Sequence, residues 1–393
     1  MISLRAGRIL RQFLLLGVVF AALFATTREA HAIPYYARKH GLSCNACHAI
    51  VPKLNANGQA FWNRGYRLPD DMEDPDNDTV PFAAWITARQ QEEVDKDFSE
   101  GLLTKVELIS GGPIGENASY FIEWRIVSLG LRGDGTVRDR AGRFEDMFVN
   151  YRFSDRLSGM IGQFRALNQE DVSLRLSTSE PSIFSSSLPG DPDSDPRITS
   201  LRAFSPSGRS PGASITYQSI FGETASDGLF HIVTVPLVGE LSWPLTPEAH
   251  DEASFELEGP PKGVFLETFY RKGLSSIGMH AFIDDDRYLL TGLGKLNIDN
   301  FFITAGLGVD DTDERSSRLR TSLELEYLHM NYDTYRPGAG FRVESISHDG
   351  REPAYIPYLM LTTPNESWTL LMQIQFRIQE DNDSFVFDLS AIF

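Results

Sequence analysis

The chain has 393 residues with 54 acidic and 36 basic side chains, so it carries a formal net charge of −18 at neutral pH. This acidic balance argues against a nucleic-acid partner and attracts cations to the surface, although ordinary solvated loops would produce the same balance. The chain contains only two cysteines, which excludes a disulfide-rich scaffold.

The amino terminus predicts export. The stretch from Phe13 to Phe24 is apolar, Ala30-His31-Ala32 follows it as a small-x-small cleavage site, and three arginines precede it, Arg5, Arg8 and Arg11. A transmembrane anchor is the alternative, but the apolar stretch is short of the roughly 20 residues that a span needs. We therefore predict a cleaved signal peptide at residues 1–32.

Both cysteines lie in the run Cys44-Asn45-Ala46-Cys47-His48. A Cys-x-x-Cys pair can form a redox-active disulfide, or it can supply two of the four ligands of a zinc site. Neither alternative requires a histidine directly after the second cysteine. Covalent haem attachment does require it, because the two thiols add to the haem vinyl groups and the next histidine ligates the iron. We predict one haem c bound to Cys44 and Cys47, with His48 as the proximal iron ligand.

The residues after this motif predict a short helix. Pro52 suits the first turn of a helix, Leu54, Phe61 and Trp62 recur at helical spacing, and Gly65 ends the pattern. Such apolar side chains can cover a porphyrin or pack on protein, and the sequence leaves both open.

Met72 is the candidate distal iron ligand. Its separation from the motif lets the chain fold over the second haem face, and a thioether there would raise the reduction potential. The acidic stretch from Asp70 to Asp78 is also typical of an exposed loop. His40, a residue from elsewhere in the chain and an open coordination position are the alternatives. Residues 33–80, the predicted cytochrome segment, are too few to form a core alone, so we expect them to pack on the rest of the chain.

From residue 81 onward the hydrophobic pattern changes from a helical period to a period of two, which is typical of strands with one apolar and one polar face. Turn signals separate the strands, for example at Asp191 to Pro196 and at Asp284 to Asp286. The pattern predicts about 16 strands of about 10 residues each. The clearest apolar ladders are Tyr120/Ile122/Trp124/Ile126, Phe301/Ile303/Ala305/Leu307/Val309, Leu319/Leu323/Leu325/Tyr327 and Trp368/Leu370/Met372/Ile374/Phe376/Ile378.

An alternating sheet can fold as a soluble sandwich or as a membrane barrel. The low mean hydropathy of −0.22, the aromatic terminal residue Phe393 and a set of aromatic residues near strand ends favour the barrel. That set is Trp124, Tyr151, Tyr270, Tyr288, Tyr327 and Trp368. We predict a mainly β fold, an outer-membrane antiparallel β-barrel over residues 81–393, with a lumen that the haem segment could plug.

The amino-terminal residues resemble a known family. Ile33 to Lys39, the motif from Cys44 to His48, Pro52 to Asn55, and the positions Gly58, Phe61 and Gly65-Tyr66 resemble the signature of fused monohaem cytochrome-porins. The terminal phenylalanine resembles the assembly signal of bacterial outer-membrane barrels. The resemblance implies a haem, a barrel in the outer membrane and, as in the best-studied members, oxidation of extracellular Fe(II) by iron-oxidising bacteria.

The functional hypothesis is therefore electron transfer across the outer membrane. Fe(II) outside the cell would reduce the haem, and a soluble periplasmic cytochrome c would accept the electron. Lumen-facing Glu324 and Glu326 could attract the cation, although such residues are more typical of ordinary solvated porin surface. The alternatives are a transport porin with haem as a structural plug or redox gate, electron export to an extracellular acceptor, and a soluble periplasmic cytochrome with a β-sandwich domain.

Overall fold

The computed structural model describes residues 42–50, 53–67, 82–93, 98–127, 129–131, 137–139, 142–166, 209–221, 226–236, 263–283, 287–312, 315–330, 335–347, 352–364, 369–379 and 383–392. The predicted signal peptide, Met72, Trp368 and Phe393 lie outside these residues. Within them, no helix is both long enough and apolar enough to cross a membrane.

Sixteen antiparallel strands form a closed barrel, which confirms the predicted mainly β barrel and its strand number. Two short strands, β1 (His48–Ile50) and β2 (Lys53–Leu54), precede the barrel. A hairpin of β6 (Leu129–Leu131) and β7 (Val137–Asp139) forms a separate two-stranded sheet. The barrel strands are β3 (Ala83–Glu93), β4 (Phe98–Ile114), β5 (Ala118–Val127), β8 (Arg143–Ser154), β9 (Leu157–Arg165), β10 (Arg209–Ile220), β11 (Gly228–Pro236), β12 (Val264–Lys272), β13 (Ser275–Ile283), β14 (Arg287–Ile298), β15 (Phe301–Thr312), β16 (Arg315–Leu328), β17 (Arg336–Ser347), β18 (Ala354–Pro364), β19 (Thr369–Arg377) and β20 (Ser384–Ile392).

The barrel closes where β20 pairs with β3, with Leu389 opposite Ala88. Because the ring is complete, no barrel strand is left with an unpaired edge. All other neighbours are joined in chain order, except that β5 pairs directly with β8 and so bypasses the β6–β7 hairpin.

The outer face of the barrel is apolar and exposed, and the inner face is polar. In β16, Leu323 and Leu325 are exposed whereas Arg320 and Glu326 are buried. This is the reverse of a soluble sandwich, in which the apolar faces would meet each other and be buried. A wide exposed apolar belt is stable only against an apolar environment, so the alternation predicted from the sequence is the alternation of a membrane barrel.

Aromatic side chains flank the apolar belt. Tyr151 and Tyr270 are exposed near the carboxyl ends of β8 and β12, and Tyr288 is exposed at the start of β14. These three therefore lie towards both rims of the barrel, where aromatic girdles meet the membrane interface.

The two rims of the barrel differ in the length of their connections. At the rim that contains the start of β3 and the end of β20, only Gly273 and Leu274 separate β12 from β13, and only Asp299 and Asn300 separate β14 from β15. At the opposite rim, β9 and β10 are separated by residues 166–208, and β11 and β12 by residues 237–263. We call the first of these the short-turn rim.

The amino-terminal segment, residues 42–67, is small and mixed in structure. A single 3₁₀ turn covers Cys44–Ala46, β1 (His48–Ile50) pairs with β2 (Lys53–Leu54), and one helix, α1, spans Ala56–Asn63. Pro52, where the sequence predicted the helix to open, lies outside the described residues.

The helix α1 begins after Asn55, whose side chain caps it by accepting a hydrogen bond from the Gly58 amide at 3.0 Å. Gly65, with a φ of +67°, follows the end of the helix, as the sequence predicted.

The orientation of β16 can be tested with two neighbouring substitutions. Leu323→Arg places a charge on the exposed apolar face and should destabilise the assembled barrel by about 2–4 kcal/mol. Ser322→Arg is the matched control, because the adjacent residue faces the lumen, and it should cost much less. Urea unfolding of the protein in lipid vesicles measures both, and equal losses would contradict the assigned faces.

Candidate functional site

One residue, Asn55, joins the Cys-x-x-Cys-His motif to helix α1. Asn55 donates from Nδ2 to the carbonyl oxygens of Asn45 at 2.9 Å and Ala46 at 3.1 Å. Its backbone amide donates to the Cys47 carbonyl at 2.9 Å. Asn55 therefore caps the helix and closes the motif loop at the same time.

Gly58 permits the motif to lie directly against the helix. A Cβ atom at this position would lie 2.1 Å from the Cys47 carbonyl oxygen and 2.9 Å from a Leu54 methyl group. The first contact is with backbone, which cannot rotate away. The glycine is thus a requirement of packing rather than of an unusual backbone conformation.

The two cysteines are not joined in a disulfide. Cys44 is buried against Trp85 and Ile392, and Thr369 donates a hydrogen bond to its Sγ at 3.1 Å. Burial raises the pKa of the Cys44 thiol, and burial together with the neighbouring Cys44 raises the pKa of Cys47 to about 11. Both groups are therefore neutral thiols at physiological pH, unlike the activated thiolates of a redox-active pair.

The backbone of His48 is held by the barrel wall. Arg336, the first residue of β17, donates from Nη1 to the His48 carbonyl at 3.1 Å and to the Ala49 carbonyl at 2.6 Å. Next to these contacts, Ile50 is fully buried in a cluster with Phe302, Leu328, Tyr358 and Met360. The strand that begins with His48 is thus packed on β15 to β18.

Glu324 and Glu326 face the lumen as predicted, but they bind other side chains of the protein. Lys53 forms a buried ion pair with Glu326 and lies over the Phe302 ring, 3.9 Å from its centroid. The Tyr358 hydroxyl donates to Glu324 and lies 3.0 Å from Glu326 Oε2. Glu326 therefore anchors the amino-terminal segment to the wall, and Tyr358 joins Glu326 to Glu324 within the wall.

The other side of the segment packs on the opposite part of the wall. Arg271 of β12 donates to Gln59 at 2.7 Å, and Arg67 donates to the carbonyls of Gly115 and Ala118 at 2.6 and 2.8 Å. Between them lies an aromatic cluster in which Phe61, Trp62 and Tyr66 of the segment meet Phe121, Phe148 and Phe164. The segment is consequently fastened to strands around the whole ring at the short-turn rim.

Cys44, Cys47 and His48 all lie in the described segment, where Cys44 and Cys47 are close enough to interact electrostatically, while the distal-ligand candidate Met72 lies outside the described residues. Within the part of the chain that the structure describes, no group of three or more His, Cys, Asp or Glu side chains could hold a metal ion. Sequence reasoning missed Arg336, Thr369 and Arg271 as partners of the segment. No local signal could have found them, because each is more than 200 positions away in sequence.

Comparison with known proteins shows the fold. Neither a protein-family model nor a curated protein sequence matches the chain. Among solved structures, OmpF of Salmonella typhi in complex with daunomycin is similar with a TM-score of 0.51 at 10% identity, over 79% of this chain and 97% of that one. An anion-selective porin from Comamonas acidovorans has a TM-score of 0.49 at 11% identity, over 80% and 98% of the two chains. The barrel has the fold of a porin.

Because of the close contact at Gly58, a Gly→Ala change there should have the opposite effect on stability from the same change in an open helix. In an open helix position, Gly→Ala stabilises by about 1 kcal/mol. Here Gly58→Ala should instead loosen the segment, because its Cβ meets the Cys47 carbonyl. Asn57→Ala at the exposed neighbouring position should tighten it slightly. Limited proteolysis of the segment in the assembled barrel measures both, and a more protected Gly58→Ala protein would contradict the packing.

The buried Lys53–Glu326 pair predicts a second effect on the same segment. Glu326→Gln leaves the Lys53 ammonium group buried beside a neutral amide, which should favour release of the segment by about 3–5 kcal/mol. The double change Lys53→Met with Glu326→Gln should recover most of this loss. Asp388→Asn breaks a wall pair with Arg89 and serves as the control. The proteolysis rate of the segment should rise strongly in Glu326→Gln, little in the double variant and not at all in Asp388→Asn.

Proposed function

We propose that this chain is an outer-membrane, porin-type barrel whose amino-terminal segment carries a haem c, and that it transfers electrons between an extracellular donor and a periplasmic carrier. The proposed donor is Fe(II) and the proposed carrier is a soluble cytochrome c. The observation that carries the proposal is the Cys44, Cys47 and His48 group, fastened to the inner wall of the barrel at one rim.

The outer-membrane location has two supports. The exposed apolar belt with aromatic rims needs a bilayer, and the fold is that of the porins. In outer-membrane barrels, short turns face the periplasm and long loops face the exterior. The short-turn rim, and with it the segment, would therefore be on the periplasmic side, where a soluble carrier can approach.

The donor set fits a covalently bound haem. Cys44 and Cys47 are neutral, unlinked thiols at the required spacing, and His48 follows at once. A haem bound there supplies one-electron chemistry at an iron whose potential depends on its axial ligands and surroundings. The chain itself holds the attachment loop through Asn55 and Thr369 and the ligand strand through Arg336.

The amino-terminal segment, held by the wall, affects what can pass through the lumen of the barrel. Its contacts with β3, β12 and β16 to β20 reach around the ring, which supports a segment that plugs part of the lumen near the periplasmic end. An electron can cross packed protein, whereas a hydrated ion or insoluble ferric product needs an open path, which a plug of this kind would narrow. This difference favours electron transfer as the role of the segment.

A transport porin, with haem as a plug or redox gate, is the second candidate. The likeness to OmpF is one of barrel fold, so on its own it supports transport better than electron transfer. The two candidates differ in what the Cys44 and Cys47 thiols are needed for.

One variant separates the candidates. Cys44→Ser combined with Cys47→Ser should abolish haem staining and all reduction by Fe(II), while the barrel still assembles and still shifts on an unheated gel. In the wild-type protein, anaerobic Fe(II) should convert the visible haem bands to the ferrous form, and Zn(II) should not. Sugar flux into vesicles should be low in the wild-type protein.

The outcomes point in different directions. A colourless wild-type protein from a host that matures c-type haem would remove the haem proposal and leave the transport porin. A haem protein that Fe(II) never reduces would keep the cytochrome and reject this donor. High sugar flux that is the same in both proteins would favour the transport porin.

A further inference from the structure

We propose that Arg336 is the positioning residue for the proximal ligand: its guanidinium group fixes the His48 peptide from the barrel wall and raises the reduction potential of the haem. This inference rests on the proposed haem attachment at Cys44 and Cys47. On this inference the barrel wall tunes the reduction potential of the haem in addition to enclosing it.

The contact is direct and buried. Nη1 of Arg336 lies 3.1 Å from the His48 carbonyl oxygen and 2.6 Å from the Ala49 carbonyl oxygen, and Arg336 is 8% exposed. One nitrogen thus joins two successive peptide oxygens of β1. Hydrogen bonds from a charged donor are stronger than neutral ones, so they resist rotation of this peptide.

The chemistry of arginine explains its use at this position. Its guanidinium group is planar, stays protonated and presents several donors in a fixed arrangement. A lysine ammonium group would supply the charge without the planar geometry. A partner outside the metal ligands that orients them also tunes the metal, as carbonyl and carboxylate partners of metal-bound histidines do.

The positive charge of Arg336 shifts the equilibrium between ferric and ferrous haem. Ferric iron carries one more positive charge than ferrous iron, so a nearby guanidinium group disfavours the ferric state and raises the potential. Burial keeps the interaction from being screened as it would be in water. Hydrogen bonding near the axial ligand and burial are among the factors by which proteins tune haem.

The other anchors of the segment do not have this relation to the ligand. Glu326 binds the Lys53 side chain and Arg271 binds the Gln59 side chain, both in parts of the segment beyond β1. Thr369 contacts Cys44 on the attachment side. Arg336 is the anchor that donates to the backbone of His48 itself, which distinguishes ligand positioning from simple retention of the segment.

The test is a spectroelectrochemical titration of the purified full-length protein in detergent, without substrate. Arg336→Gln should lower the ferrous-to-ferric ratio at a fixed electrode potential roughly tenfold, whereas Arg336→Lys, which keeps the charge, should lower it less than about threefold. Arg342→Gln is the matched control, because Arg342 is a buried arginine of the same strand that pairs with Glu344. It should titrate like the wild-type protein.

The outcomes separate a failure of the Arg336 inference from a failure of the haem proposal. A haem-bearing Arg336→Gln protein with the wild-type potential, or an equal shift in Arg342→Gln, overturns the inference and leaves the haem proposal standing. A wild-type protein without haem is the separate failure of the proposed function. If Arg336→Gln does not assemble, electron paramagnetic resonance of Arg336→Lys decides: changed ferric g-values support positioning of His48, and unchanged values overturn it.

Discussion

Backbone pairing is the constraint on which the rest of the structure depends. In hydrocarbon, an unpaired amide or carbonyl group has no water to bind, so a sheet that crosses a bilayer must close on itself. The pairing of β20 with β3 meets this requirement. Closure also creates an interior face, and because strand residues alternate, the polar half of every strand is directed into it. The polar lumen is therefore a consequence of a closed, lipid-facing sheet.

A polar interior wall supplies partners for whatever packs against it. Residues 42–67 have little core of their own, with one eight-residue helix and a two-stranded ribbon, and segments this short do not bury enough apolar surface to be stable alone. Their order comes from the wall: an ion pair at Lys53, arginine donors at Gln59 and Ala49, and an aromatic cluster around Tyr66. Barrel and segment thus form one packing unit at the short-turn rim.

The sequence predicted those features that depend on local periodicity. The ladder from Leu319 to Tyr327 and the number of strands followed from a period of two, which a single strand displays by itself. The partners of the amino-terminal segment depend instead on register between distant strands: Lys53 and Glu326 are 273 positions apart. Glu326 was recognised as lumen-facing, but its role was assigned to cations because the lysine that binds it cannot be placed from the pattern. The helix start likewise depended on the Asn55 cap.

The same wall contacts bear on the choice between carrying solutes and carrying electrons. A general porin gains from an open lumen, and a redox protein gains from dense packing around its centre, since burial and fixed hydrogen bonds set the potential. Here the inner wall contributes a Thr369 contact to Cys44 and an Arg336 contact to β1, and both contacts exist only when the segment is seated. Releasing the segment to open a pore would break both contacts. These wall residues therefore hold the segment in its seated position, an arrangement that the proposed electron transfer needs and an open solute pore does not.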